Sequence, residues 1–292
     1  MPDIPALSLS TMLDLTHWPL DARARTVGVL TDVDDTLTTD GAITPDALQA
    51  MAALRAAGLY VIAITGRPAG WSEPFATTWP VDAIVAETGS VALLRTPKNS
   101  SQNGLQPNGE GREQLSKWYL QDAATRAANY ARMQQVAQQV LREVPGAVLA
   151  QDSPGRETDI AIDHSEFTQL PPEAIAQTLA ILRAAGMNAQ ISSIHINASY
   201  GTHNKLVGAR WIVRELLGRT LDDEMERWVF VGDSLNDQVM FEHFPHSVGV
   251  ANVARFAPQL RYLPRYVTQA ARGAGFAEMA RAILAAKAAP GA

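Results

Sequence analysis

The sequence predicts an α/β protein, a doubly wound parallel-sheet core interrupted midway by an inserted α+β domain. Three observations predict it. Short, continuous apolar runs alternate with helix-period segments at both ends of the chain, the pattern of strands covered by helices on both faces. Several of those runs end abruptly in polar or charged residues. Between the two ends, a tract rich in Gly, Pro and Asn at 96–111 reads as a loop. A long helical stretch and further strand-like pieces follow it before the first pattern resumes. The division reads as 1–88 and 197–292 for the core and 89–196 for the insertion.

Residues 1–25 read as a polar, Pro-punctuated lead-in. A strand at 27–30 precedes a helix at 45–57, with Thr44 placed to cap it, Pro45 at its first position and Gly58 just past its end. Leu48, Met51, Ala52 and Leu54 form its apolar stripe. Strands follow at 60–64 and 83–86. The Ala- and Gln-rich segment 113–144 reads as one long helix or two in series, stopped by Pro145 and Gly146. Strand-like pieces at 147–150 and 158–162, a helix at 172–185 and a strand at 188–196 complete the insertion. The last third has a helix at 206–217 stopped by Gly218, strands at 228–231 and 247–250, and an Ala-rich helix from Ala277.

A chain of 292 residues that is 47% hydrophobic can bury a full core. Its net charge of −6 argues against a nucleic-acid surface, which shows as a basic stripe. Cysteine is absent, which excludes thiolate catalysis, zinc–thiolate sites and disulfides. The opening MPDIPALSLSTMLDL lacks a basic segment followed by a long apolar one, and no run approaches the ~18 apolar residues of a membrane span. The expectation is a cytoplasmic protein with neither membrane nor nucleic-acid partners.

The chemistry concentrates at strand exits. The run VGVLTDVDDTLT at 27–38 ends in Asp32, Asp34 and Asp35, followed by Thr36. Like charges this close repel and resist leaving water, so they make sense around a hard cation, or where one carboxylate attacks while another carries a proton. An acidic turn with a helix cap is the plainer reading. The strand at 60–64 exits into Thr65, Gly66, Arg67 and Pro68, and the strand at 228–231 into GDSLND at 232–237, with Lys205 heading the helix between them. Ligands of open parallel sheets bind at the carboxyl ends of strands, so these groups should converge. A phosphoryl group suits such a set, because a cation must offset the repulsion between its charge and an attacking carboxylate.

These residues resemble the haloacid dehalogenase superfamily of phosphohydrolases. Its DxDxT motif is similar to Asp32–Thr36, its second-motif Thr to Thr65, its Lys to Lys205, and its fourth motif to GDSLND. The resemblance implies a Rossmann-like core and Mg²⁺. It implies Asp32 as nucleophile forming an aspartyl-phosphate and Asp34 as general acid/base, with Thr65, Gly66 and Lys205 on the phosphate. Asp32, Asp34 (through its carbonyl), Asp233 and Asp237 would lie on or just behind the metal, with Asn236 orienting the loop. An insertion between the second and third motifs resembles the cap of subfamily IIB, which includes Cof-like, sucrose-phosphate and mannosyl-3-phosphoglycerate phosphatases. The implied substrate is a small, sugar-like phosphate. The chain departs from that subfamily at Glu87-Thr88-Gly89, where Glu-Asn-Gly is usual, and in the approach to Lys205.

Arg67 is a candidate substrate contact, or else a partner of Glu73. Of six histidines, none in a zinc-binding spacing, His195 and His203 flank the return from insertion to core and are candidate contacts. Trp118 and Tyr119 read as packing within the insertion. Asp35, in the variable slot of the motif, reads as dispensable. Phosphosugar mutase activity is the alternative to hydrolysis; a signalling receiver or a silent binding protein fits the residues less well.

Overall fold

The computed structural model describes residues 12–97 and 113–289. The expected loop at 96–111 therefore lies almost wholly outside the described residues, as do residues 1–11. In chain order the elements are β1 (Leu13–Asp14), α1 (Leu20–Arg25), β2 (Gly28–Thr31), β3 (Thr38–Thr39), β4 (Ala42–Ile43), α2 (Pro45–Ala56), β5 (Tyr60–Ile64), α3 (Ala69–Thr78), β6 (Ala83–Ala86) and β7 (Val91–Pro97). Then come β8 (Glu113–Tyr119), α4 (Ala123–Glu143), β9 (Val148–Leu149), β10 (Ile160–Asp163), α5 (Pro172–Ala184), β11 (Asn188–Ile191) and β12 (His195–Ser199). The chain ends with α6 (Lys205–Leu217), β13 (Trp228–Gly232), α7 (Gln238–His243), β14 (His246–Gly249), β15 (Tyr266–Val267) and α8 (Arg272–Lys287).

The large sheet runs β1-β15-β14-β13-β2-β5-β6-β7-β8. Its strands are parallel from β1 through β6, and β7 and β8 add an antiparallel edge. Alternate residues of each strand face opposite ways. Val29, Val61 and Val229 pack toward α1, α2, α3 and α8, while Leu30, Ile62 and Phe230 pack toward α6 and α7. Both faces are thus dry, which explains why β2, β5, β6 and β13 lack a polar alternation. A second, antiparallel sheet, β11-β12-β10-β9, packs on α4 and α5 around its own core of Met133, Val140, Ile162, Leu182 and Ile196. No helix among the described residues is long and apolar enough to cross a membrane.

Several expectations are corrected. Residues 12–25 are no loose lead-in, because β1 pairs with β15 and Trp18 is buried against Tyr266. The segment 113–119 is a strand that pairs with β7, not the start of a helix. Trp118 accordingly packs in the core on the α6 side of the large sheet rather than inside the insertion. The expected strand at 188–196 is two antiparallel strands, β11 and β12, joined by a turn. The final helix starts at Arg272, five residues earlier than expected.

Two glycines seat the head of α6. Gly89 adopts φ +106°, and a Cβ there would lie 2.4 Å from the Asn204 carbonyl oxygen. A Cβ on Gly208, one turn into α6, would lie 2.5 Å from the Gly89 Cα. Backbone thus meets backbone, and the N-terminus of α6, capped by the Asn204 side chain on the Val207 amide (3.0 Å), is drawn against the end of β6. Lys205 heads that helix. Gly208→Ala is expected to lower stability by about 1–3 kcal/mol through overpacking, read as a fall of several degrees in thermal midpoint. An unchanged midpoint would show that the helix moves away at no cost.

Candidate active site

The parallel register aligns the strand exits. Thr31 pairs with both Val231 and Ala63, so Asp32, Asp233 and Thr65 emerge at nearly one level. The Asp32 amide still donates to the Val231 carbonyl (2.8 Å), extending the ladder to the carboxylate itself. Carboxylate oxygens of Asp32, Asp233 and Asp237 lie within 4.8 Å of one another. The buried Lys205 ammonium donates to Asp32 Oδ1 (2.5 Å) and Asp237 Oδ1 (2.6 Å). Asp237 Oδ2 accepts from the amides of Asp233 (2.9 Å) and Ser234 (3.0 Å). Both oxygens of Asp237 are therefore engaged in fixing the loop and the lysine, which sets it behind the cluster.

The cluster is short of positive charge. Burial, with the charges of Asp237 and Asp34 adding to it, pushes the Asp32 carboxyl up to about 7 despite Lys205. Burial and the charges of Asp32, Asp237 and Asp35 raise Asp233 well above the carboxylate range. Burial alone would depress Lys205, but Asp237 and Asp32 hold it above its ordinary value. Asp233 Oδ2 accepts from Asn252 Nδ2 (2.9 Å), while its buried Oδ1 has no hydrogen-bond partner among the described residues. An orphaned carboxylate oxygen within reach of a second carboxylate is a donor set suited to a hard divalent cation.

Beside the cluster, Asp34 Oδ1 accepts from Arg67 Nε (2.9 Å), and Asp34 Oδ2 lies 3.5 Å from Thr65 Oγ1. Thr65 Oγ1 in turn accepts from the Arg67 amide (3.0 Å). Arg67 does not meet Glu73, which pairs with Lys117. Its guanidinium crosses instead to the second sheet's side, donating to Asp152 (3.3 Å) and Glu166 (2.7 Å). His195 Nε2 closes the chain on Glu166 Oε2 (2.7 Å). Burial opposes ionisation of Glu166, but His195 and Arg67 hold its carboxyl down at about 2. The Gly66 carbonyl accepts from Arg156 Nη1 and Asn197 Nδ2, both at 3.0 Å.

A narrow gap over Asp32 and Asp34 is roofed by Ser192, Ser193, Ile194, His195 and Asn197, with Ser234 and Asn236 at its side. It adjoins a cleft of about 370 Å³ bounded by Asp34, Asp40, Arg67, Glu166 and Phe167. Asn236 accepts from Ser234 Oγ (3.1 Å), within the loop it was expected to orient.

Sequence reasoning missed three groups here. Glu87 was seen only as a departure from a tripeptide. It is fully buried, and its carboxylate accepts from the amides of Ala69, Glu157, Thr158 and Asp159 and from the Thr158 hydroxyl. Asn252 bridges Asp233 and the Asp35 carbonyl (3.0 Å). Both follow strand exits, of β6 and β14, the same signal that marked Asp32 and Asp233. Asp163 accepts the amides of Ser165, Glu166 and Phe167 and shapes the loop that carries Glu166.

His203 does not line the gap or the cleft. It is buried with Nε2 unpartnered, and burial lowers its pKa to about 4. The folded state then binds fewer protons than the unfolded state between pH 4 and 6.5, so stability falls as pH drops through that window. Between pH 7 and 4.5, wild type is expected to lose about 2 kcal/mol more stability than His203→Gln, measured by denaturant unfolding. Parallel losses would show that His203 is not held neutral.

Residues 29–109 match the family model of haloacid dehalogenase-like hydrolases. No curated protein matches the chain. Among solved structures, the sucrose-phosphatase of Synechocystis in complex with sucrose and phosphate aligns at TM-score 0.60 and 18% identity, over 89% of this chain and 98% of that one. The C-terminal domain of trehalose-6-phosphate phosphatase from C. albicans aligns at 0.63 and 12%, over 96% and 99%. A haloacid dehalogenase subclass IIB sugar phosphatase aligns at 0.56 and 15%, over 88% and 96%. The chain thus matches the model of the haloacid dehalogenase-like hydrolases over its first strands and motif loop, and shares the fold of these phosphatases over most of its length.

Proposed function

We propose that the chain is a Mg²⁺-dependent phosphatase that hydrolyses a sugar-like phosphomonoester through Asp32. The observation that carries the reading is the buried Asp32–Lys205–Asp237 arrangement beside Asp233, set under a roofed gap at the strand ends. The sugar phosphatases among structures of the same fold support the substrate class. The roofing unit, which we take as residues 120–200, acts as the cap, with β7 and β8 assigned to the core.

Asp32 and Asp233, with the Asp34 carbonyl, would hold Mg²⁺. The ion would supply the positive charge the cluster lacks and draw charge from the phosphoryl oxygens. An Asp32 oxygen attacks phosphorus, the bond to the leaving oxygen breaks, and an aspartyl-phosphate remains. Asp34, in its protonated form, gives its proton to the leaving oxygen. As a carboxylate it then takes a proton from the water that attacks the aspartyl-phosphate, which frees Asp32 and inorganic phosphate. Lys205 and the Thr65 hydroxyl face the transferring group's oxygens, while Asp237 fixes Lys205 and the amides of Asp233 and Ser234.

The test is turnover of an aryl phosphate with and without EDTA. Chelation is expected to abolish it, and Asp32→Asn to cut kcat by at least about 10³-fold. Undiminished activity in either experiment overturns the reading. A second variant checks the division of labour among the carboxylates. Asp35 sits at φ +57°, where glycine is at ease, and its side chain pairs with the partly exposed Arg255 and Arg272, each at 3.1 Å. Such pairs contribute ~0–1 kcal/mol. Asp35→Gly is expected to keep turnover within several-fold of wild type and stability within about 1 kcal/mol. A loss of activity without unfolding would place Asp35 in the chemistry.

A further inference from the structure

We propose that the leaving group this site accepts is uncharged and rich in hydroxyls, and that Phe167 is the residue that reads it; the proposal rests on the phosphatase reading above. Three features of the cleft carry it. The first is charge. Among the described residues, the cleft is lined by the carboxylates of Asp34, Asp35, Asp40 and Glu166 and by one cation, Arg67. Arg67 is already bound by Asp34, Asp152 and Glu166. The nearby Arg272 is held by Asp35 and Asp40, and Arg255 by Asp35. Lys205 is taken by Asp32 and Asp237. A second anionic group on the substrate would enter a field of its own sign with every one of these cations engaged. Hydroxyls suit the same wall, because ionised carboxylates are pure acceptors with lone pairs to spare.

The second feature is Phe167 itself. At 64% exposure it is the most exposed large apolar side chain among the described residues, and it stands on the cleft wall. A lone exposed apolar residue needs no explanation. The third feature is that the backbone carrying this one is held in place. The buried Asp163, at the end of β10, accepts from the amides of Ser165 (3.1 Å), Glu166 (2.9 Å) and Phe167 (2.9 Å), so the loop is pinned at its root. Glu166 is fixed in turn by Arg67 and His195. A ring carried on a pinned backbone next to carboxylate acceptors offers an apolar face for the C–H side of a sugar and acceptors for its hydroxyls.

The experiment uses the full chain with Mg²⁺ and two matched acyclic substrates, sorbitol 6-phosphate and 6-phosphogluconate, which differ only in a hydroxymethyl against a carboxylate at C1; glucose 6-phosphate supplies the ring. Acetyl phosphate, which has no ring, is the control. The expected kcat/KM is at least ~10-fold higher for sorbitol 6-phosphate than for 6-phosphogluconate. Phe167→Ala is expected to raise KM for glucose 6-phosphate about 3- to 10-fold, with Phe167→Trp restoring it and acetyl phosphate turnover unmoved. An unchanged thermal midpoint shows that the exposed ring has no structural role. Equal or better use of 6-phosphogluconate, or an unmoved KM in Phe167→Ala, overturns the proposal while leaving the phosphatase reading intact. Failure to hydrolyse every one of these phosphates, the acyl phosphate included, overturns that reading and the proposal with it.

Discussion

The buried ion cluster of Asp32, Lys205, Asp233 and Asp237 is the constraint on which the rest of the structure turns. Three carboxylates and one ammonium out of water are tolerable only with short, well-aimed contacts, and the fold supplies these from three directions. The strand register brings Asp32 and Asp233 level. The Gly89–Gly208 contact brings in Lys205 from the head of α6. Asp237 turns back to accept two amides of its own loop while holding the lysine. Breaking any one contact would leave an unpaired buried charge, a costlier outcome than losing an apolar contact of similar size. The carboxylate oxygen left over, Asp233 Oδ1, sets the cluster apart from a closed structural ion pair.

The second sheet is tied to this cluster by polar contacts. Arg67 touches Asp34 on one side and Asp152 and Glu166 on the other. The Gly66 carbonyl, next to Thr65, accepts from Arg156 and Asn197. A shift of the roofing unit therefore reaches Asp34 and Thr65 through the Arg67 guanidinium and the Gly66 carbonyl. Glu87 anchors the connection from the core side, since it gathers the amides of 157–159 and that of Ala69 on one carboxylate.

Much of this was legible in the sequence. The strands β2, β5, β6 and β13 read within a residue or so, because a strand buried on both faces is a short unbroken apolar run between turn residues, and the carboxylates and hydroxyl at their exits stood out by contrast. The edge strand β8 did not, because its alternation in EQLSKWY spans seven residues and abuts the much longer Ala- and Gln-rich α4. Pro74 and a run of threonines hid α3, whose stability comes from burial of Ala69, Ser72 and Ala76 rather than from propensity. All but one of the partners of the Glu87 carboxylate lie some seventy residues downstream, and the arginines that pair with Asp35 more than two hundred. No local pattern reports such pairings, so Glu87 looked like a variant tripeptide and Asp35 like a spare carboxylate.

The division between apolar cores and polar seam has a mechanical consequence. The roofing unit keeps its own hydrophobic cluster, centred on Met133, Ile162 and Ile196, separate from the two clusters flanking the large sheet. Parting the two units would expose chiefly ions, amides and carbonyls, which water can solvate, whereas parting a shared apolar core would incur the full hydrophobic penalty. A roofed gap this tight must open to admit a leaving group and shut again to exclude water from the reacting bond. A seam of hydrogen bonds meets both needs. It is strong while dry, because each contact is charge-assisted or buried, and it is replaceable when wet. The placement of Arg67 at the centre of that seam, within reach of Asp34, couples closure to the residue proposed to handle the proton.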